Sequence, residues 1–90
     1  VKEYTYLGYA EEIDEKGFAY ITQRNKFCVG ETIEIMKPDG RNLSVTVKAI
    51  YNENGESVES APHPQQKLAV DLGTGIEKYD LLRRAEASEN

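Results

Sequence analysis

Apolar and polar residues alternate in short runs along this chain, and a period of two is the mark of strands. Tyr4 to Ile13 opens with Tyr4 and Tyr6 on either side of Thr5, residue types that favour a pleated, half-buried surface. Gly8 inside this run predicts a bulge or a tight bend. Asp14-Glu-Lys-Gly17 reads as a turn, and Phe18 to Gln23 as the returning strand of a hairpin. Thr32 to Met36 places Ile33 and Ile35 on one face and Thr32 and Glu34 on the other. Lys37-Pro-Asp-Gly40 is a turn, because proline presets φ and glycine follows the aspartate. In Leu43 to Tyr51 the expected inward face is Leu43, Val45, Val47, Ala49 and Tyr51, with Ile50 breaking the polar face. Asn54-Gly55 is the clearest hairpin signal, and Ser57 to Glu59 should return from it. Leu68, Val70 and Leu72 form another inward face, and Tyr79 to Arg84 reads as the closing strand. No window holds a helical period over about 11 residues.

About six or seven short strands, with turn signals roughly every 8 to 12 residues, predict an all-β fold. A small antiparallel β-barrel, closed or partly open, is expected, because so few strands otherwise leave costly edges. One domain is expected over 1–85, with 86–90 as a frayed tail.

Composition narrows the function. A chain of 90 residues suits one small domain, and the 39% hydrophobic content is enough for a core. Eleven Lys and Arg against 16 Asp and Glu give a net charge of −5. That argues against a domain whose main work is gripping phosphate backbones, while leaving room for a local basic patch. Cys28 is the lone cysteine, so no intrachain disulfide is expected, and a reducing, cytoplasmic setting fits. No apolar run approaches the ~20 residues of a membrane helix, and no membrane partner is expected. No signal peptide is visible, and the start at Val1 suggests a piece of a longer protein.

Two stretches are candidates for a site. In Ala61-Pro-His-Pro-Gln-Gln-Lys67 the single histidine, His63, lies between two prolines. Proline lacks an N–H and holds the preceding residue extended, so a stiff corner is expected, with His63, Gln65 and Gln66 available for hydrogen bonds to a partner. Gln23-Arg-Asn-Lys26 sets basic Arg24 and Lys26 beside Gln23 and Asn25 in an acidic domain. Near Arg41, Lys67, Arg83 or Arg84 it could form a patch for RNA or an acidic protein surface, but the count of residues alone favours a solvated loop with Asn25 at a left-handed turn position. No metal site is expected, since His63 has no second histidine or cysteine pair to join it. Cys28 between Phe27 and Val29 reads as a small buried hydrophobe rather than a nucleophile. No calcium-loop, P-loop or nucleophile-elbow spacing occurs, so neither a cofactor nor a catalytic residue is expected.

Read in order, these pieces resemble the C-terminal domain of the collagenase-like peptidase family U-32. Gln23, Arg24, Asn25, Lys26 and Phe27 fit its strand ending, and Val29, Gly30, Ile33, Glu34 and Ile35 fit its glycine step. Pro38 and Gly40 fit its turn, Ala61 through Gln66 its proline corner, and Tyr79, Asp80, Leu82 and Arg83 its closing strand. More broadly, the glycine step and the closing strand are similar to the second-domain barrel of elongation factor Tu, with Tyr79 where that group often has glycine. The resemblance implies a non-catalytic accessory domain whose partner is an N-terminal peptidase-type domain of the same chain. It would assist recognition or positioning of a protein or peptide substrate. The alternative implied is an RNA-binding barrel of a relative that hydroxylates tRNA or rRNA bases, with iron–sulfur cysteines outside this segment. A third reading is a docking surface holding Phe27 or Tyr79 in an exposed apolar patch.

Overall fold

The computed structural model describes residues 3–73 and 75–86. Among them are nine strands and no helix: β1 (Glu3–Tyr9), β2 (Glu12–Ile13), β3 (Ala19–Thr22), β4 (Thr32–Met36), β5 (Asn42–Thr46), β6 (Ala49–Tyr51), β7 (Ser57–Val58), β8 (Lys67–Asp71) and β9 (Leu81–Glu86). They form two antiparallel sheets, ordered β1-β9-β4-β5 and β2-β3-β8-β6-β7. The two sheets keep separate ladders, so the structure is the partly open form of the expected all-β fold and not a closed barrel.

The inward residues line up across each sheet. Ala19, Val70, Ile50 and Val58 are successive partners across the second sheet, and Ile35 pairs with Leu82 across the first. Leu7, Ile33, Ile35 and Leu82 of the first sheet and Ile21, Ile50, Leu68 and Val70 of the second belong to one buried cluster, with Phe27 inside it. Burying each Leu or Ile stabilises the domain by roughly 1.5–3 kcal/mol.

The chain crosses between the sheets after β1, β3, β5 and β8, and each crossing shifts the alternation. This divides two of the expected strands. Tyr4 to Ile13 becomes β1 and β2, with Leu7 and Ala10 both buried. Leu43 to Tyr51 becomes β5 and β6, with buried Val47 at the crossing. Beyond it Ile50, not Ala49 or Tyr51, faces the core, and Leu43 is exposed on the edge strand β5. The expected common face is therefore corrected, because a residue must reverse its facing when its strand joins the opposite sheet.

The turns follow their local chemistry. The Asp14 carboxylate accepts from the N–H groups of Lys16 and Phe18 and closes the β2–β3 hairpin. Asn52 does the same for Asn54 and Glu56 at the β6–β7 turn. Gly8 supplies the expected bulge, with a register shift between Tyr6 and Gly8 and a φ of 142°. A Cβ there would lie 2.8 Å from the Thr22 carbonyl oxygen, so glycine lets β1 pass close to β3. Tyr79 also adopts a positive φ, 77°, and its N–H donates to the Ala10 carbonyl at 2.7 Å. Glu86 pairs with Glu3 at the end of β9, so the chain is still in a strand where the tail was expected to begin; 87–90 lie outside the described residues.

Candidate functional site: the joined loop and proline corner

The two stretches singled out in the sequence lie side by side, and Gln23 joins them. Its N–H donates to the Gln66 carbonyl (2.9 Å), and its own carbonyl accepts from Gln65 N–H (2.8 Å). Its side-chain amide donates to the carbonyls of His63 (3.1 Å) and Ala61 (3.3 Å). Gln23 is only 1% exposed, so its part is to hold the corner to the loop. Gln65 takes a φ of 59°, the left-handed bend that returns the chain into β8. The buried side-chain oxygens of Gln23 and Gln66 have no partner among the described residues.

Asn25 fastens the other end of the loop, donating to the Tyr6 carbonyl at 2.7 Å, while Arg24 N–H donates to the Leu7 carbonyl at 3.0 Å. The loop therefore runs along the free edge of β1. Arg24, Lys26, His63 and Gln65 are exposed and Gln66 is half-buried. The loop offers two exposed cations and the corner bonded to it an exposed imidazole and side-chain amide.

The cations expected to widen the patch are each paired with a carboxylate. Lys67 pairs with Glu11 (3.2 Å), Arg83 with Glu34 (2.9 Å) and Arg41 with Asp39 (2.8 Å). Arg84 is bound by Glu31 and Glu86, both at 3.0 Å, and it donates to the Lys26 carbonyl at 3.1 Å. Those bonds, Glu86 first, hold the Arg84 guanidinium above its ordinary pKa. Of the six candidate cations, Arg24 and Lys26 have no carboxylate partner among the described residues.

The second sheet presents the opposite sign. An open groove of about 880 Å³ is lined by Glu11, Asp14, Phe18, Tyr20, Tyr51 and Lys67, among others. The Phe18 N–H, with Tyr20 and Lys16, holds the Asp14 carboxyl below its usual value. The Thr22 hydroxyl, aided by Lys67, does the same for Glu11 against the opposing effect of burial. Both stay charged, and a polyanion is repelled there.

Phe27 is fully buried, so it cannot contribute to an exposed apolar patch, whereas Tyr79 is 62% exposed beneath the Lys78 amine. Cys28 is a free thiol, half-buried rather than buried as expected, and its backbone pairs antiparallel with that of Ser60. Among the described residues no group of three or more His, Cys, Asp or Glu side chains gathers to hold a metal ion.

Two features escaped the sequence reading. The Lys37 ammonium, assigned to a turn, is buried and donates to Asp80 (2.6 Å), Glu77 (2.9 Å) and the Gly75 carbonyl. Its main partner lies 43 residues away, beyond any local signal. The second is the row of exposed tyrosines on β1, for which the glycine at position 8 was an available clue.

The fold and this edge define a small two-sheet β domain with a surface suited to contact. The chain belongs to the peptidase family U32 C-terminal domain, whose family model matches residues 2–83. It is similar to tRNA hydroxylation protein P1 of Bacillus subtilis (strain 168), 27% identical over 84 residues that cover 92% of this chain and 20% of that protein. It is also similar to tRNA hydroxylation protein P of Escherichia coli (strain K12), 32% identical over 78 residues, 84% of this chain and 17% of that protein. The chain thus spans about a fifth of the curated relatives it matches. The crystal structure of the C-terminal domain of a Geobacillus thermoleovorans protein classed as a U32 peptidase superposes with a TM-score of 0.77 at 26% identity, covering 92% of this chain and 93% of that one. Its selenomethionine variant gives a TM-score of 0.76 at 26% identity, covering 88% and 98%.

Proposed function

We propose that this domain is a non-catalytic accessory module that presents tRNA, or an RNA like it, to the rest of a U32-family protein. The observation that supports this is the junction at Gln23, which bonds the loop bearing exposed Arg24 and Lys26 to the corner bearing exposed His63 and Gln65. Two exposed cations flanked by hydrogen-bonding groups suit phosphate and sugar contact, which positions RNA without reading its sequence. The names of the relatives support RNA over the peptide substrate that the family resemblance first implied. The net charge of −5 limits such binding to this edge and makes it weak when the domain acts alone.

The test is fluorescence anisotropy of an unmodified tRNA transcript titrated with this chain across a salt series. Two phosphate contacts give a slope of about −1.4 in log K against log salt for single-stranded regions. Arg24→Ala with Lys26→Ala should abolish most of that slope. Absence of binding at low salt refutes the reading.

A further inference from the structure

The outward face of the first sheet carries aromatic rings that the contact edge does not use. Tyr4, Tyr6 and Tyr9 are 42%, 39% and 39% exposed, and Leu81 is 44% exposed. In a regular strand Tyr6 and Tyr9, three apart, would face opposite ways. The bulge at Gly8 adds one residue: Tyr6 pairs with Arg83 and Tyr9 with Leu81, and those two share a face of β9. Three tyrosines are thereby set on one side of the sheet, with Tyr4 and Tyr6 about 7 Å apart along the strand. The Arg83 guanidinium lies 3.6 Å from the centre of the Tyr4 ring and is neutralised by Glu34 on the neighbouring strand. The Arg24–Lys26 loop borders this row, tied to it at Tyr6 and Leu7.

We propose that this face is a stacking platform for unpaired RNA bases, with the sugar–phosphate chain following the Arg24–Lys26 edge. The inference rests on the RNA-contact reading above and adds the state of the RNA: single-stranded. Unpaired bases stack on exposed rings whatever their identity, whereas bases in a duplex have both faces covered by their neighbours. Charge favours the same occupant. Arg24, which has no carboxylate partner among the described residues, is tied by its N–H to the Leu7 carbonyl at the edge of this strand, while the carboxylate-lined groove lies on the other sheet.

The test uses this chain, a short labelled single-stranded RNA without self-complementarity, and a fully paired duplex of the same composition, read by anisotropy at low salt. The single strand should bind more tightly than the duplex. Tyr6→Leu with Tyr9→Leu should weaken it roughly 5- to 100-fold per ring removed, with an unchanged circular dichroism spectrum. Tyr6→Phe with Tyr9→Phe, which keeps the rings, should retain most of the affinity. Arg24→Ala with Lys26→Ala should flatten the salt dependence and leave the preference for single strand. If RNA binds but the leucine variant matches the parent, or the duplex binds as well, the platform is refuted and the RNA-contact reading stands. If neither RNA binds, both fall.

Discussion

Removing the Asp80 carboxylate should cost this domain a large part of its stability. Asp80 is 1% exposed, and the Lys37 side chain that donates to it is 6% exposed. Glu77, the other carboxylate on that ammonium, is 73% exposed, so its charge is screened by water. In Asp80→Ala the ammonium would keep only the Gly75 carbonyl and this screened partner, and the Glu77 N–H would also lose its acceptor. Breaking a buried pair from one side costs about 3–5 kcal/mol. A domain of 90 residues has roughly 5–13 kcal/mol in all. At about 4–8 °C per kcal/mol, the melting temperature should fall by some 12–40 °C. Urea unfolding followed by circular dichroism, with calorimetry beside it, measures both quantities. Lys37→Met combined with Asp80→Leu should recover most of the loss, since apolar replacement of a whole buried pair is often neutral or better. Burial disfavours the Lys37 ammonium, but the bonds from Asp80 and Glu77 outweigh it and raise its pKa. The folded chain therefore holds this proton more tightly than the unfolded one. The stabilisation is complete below about pH 10.4 and is lost as pH rises through the folded value. An Asp80→Ala loss under about 1 kcal/mol, or a double variant no better than the single, would refute this account.

Three other outcomes follow from the same contacts. Gly8→Ala should lose roughly 1–3 kcal/mol in urea, because its Cβ meets the Thr22 carbonyl at 2.8 Å and φ is 142°. Gln23→Ala should cost about 1–3 kcal/mol and speed amide exchange at Gln65 and at position 23, whose N–H groups bond across the junction, since the Ala61 and His63 carbonyls lose their donor; unchanged exchange there would mean the corner holds itself. Acid should weaken the fold: the Thr22 hydroxyl lowers the Glu11 pKa and the Thr5 hydroxyl lowers that of Glu86, so the unfolded chain binds more protons. This stability is present above about pH 4.5 and lost as pH falls through the folded values, which denaturation midpoints at pH 7 and pH 3 would show.

Much of the fold is written locally. Ile33 and Ile35, then Leu68, Val70 and Leu72, alternate in the sequence and are all buried in the structure. The Asp14 and Asn54-Gly55 turns form where their side chains predict them. The contact edge is legible in part, because Arg24, Lys26, His63 and Gln65 are marked by residue type and are exposed.

The reversed facing of Leu43 and Ile50 came from the crossing between sheets; alternation within one strand and turn position depend on neighbours a few residues away, and a linear reading reaches that far. It does not reach Gln23 holding the His63 carbonyl, 40 residues on, or Lys37 meeting Asp80, 43 residues on. Nor does it show that four of the six candidate cations are already paired with carboxylates. Apart from Arg41 and Asp39, two residues apart, those facts come from which distant strands become neighbours in a sheet. Desolvation and charge pairing act over a few ångströms in space, and the chain brings the partners together only once the core has closed.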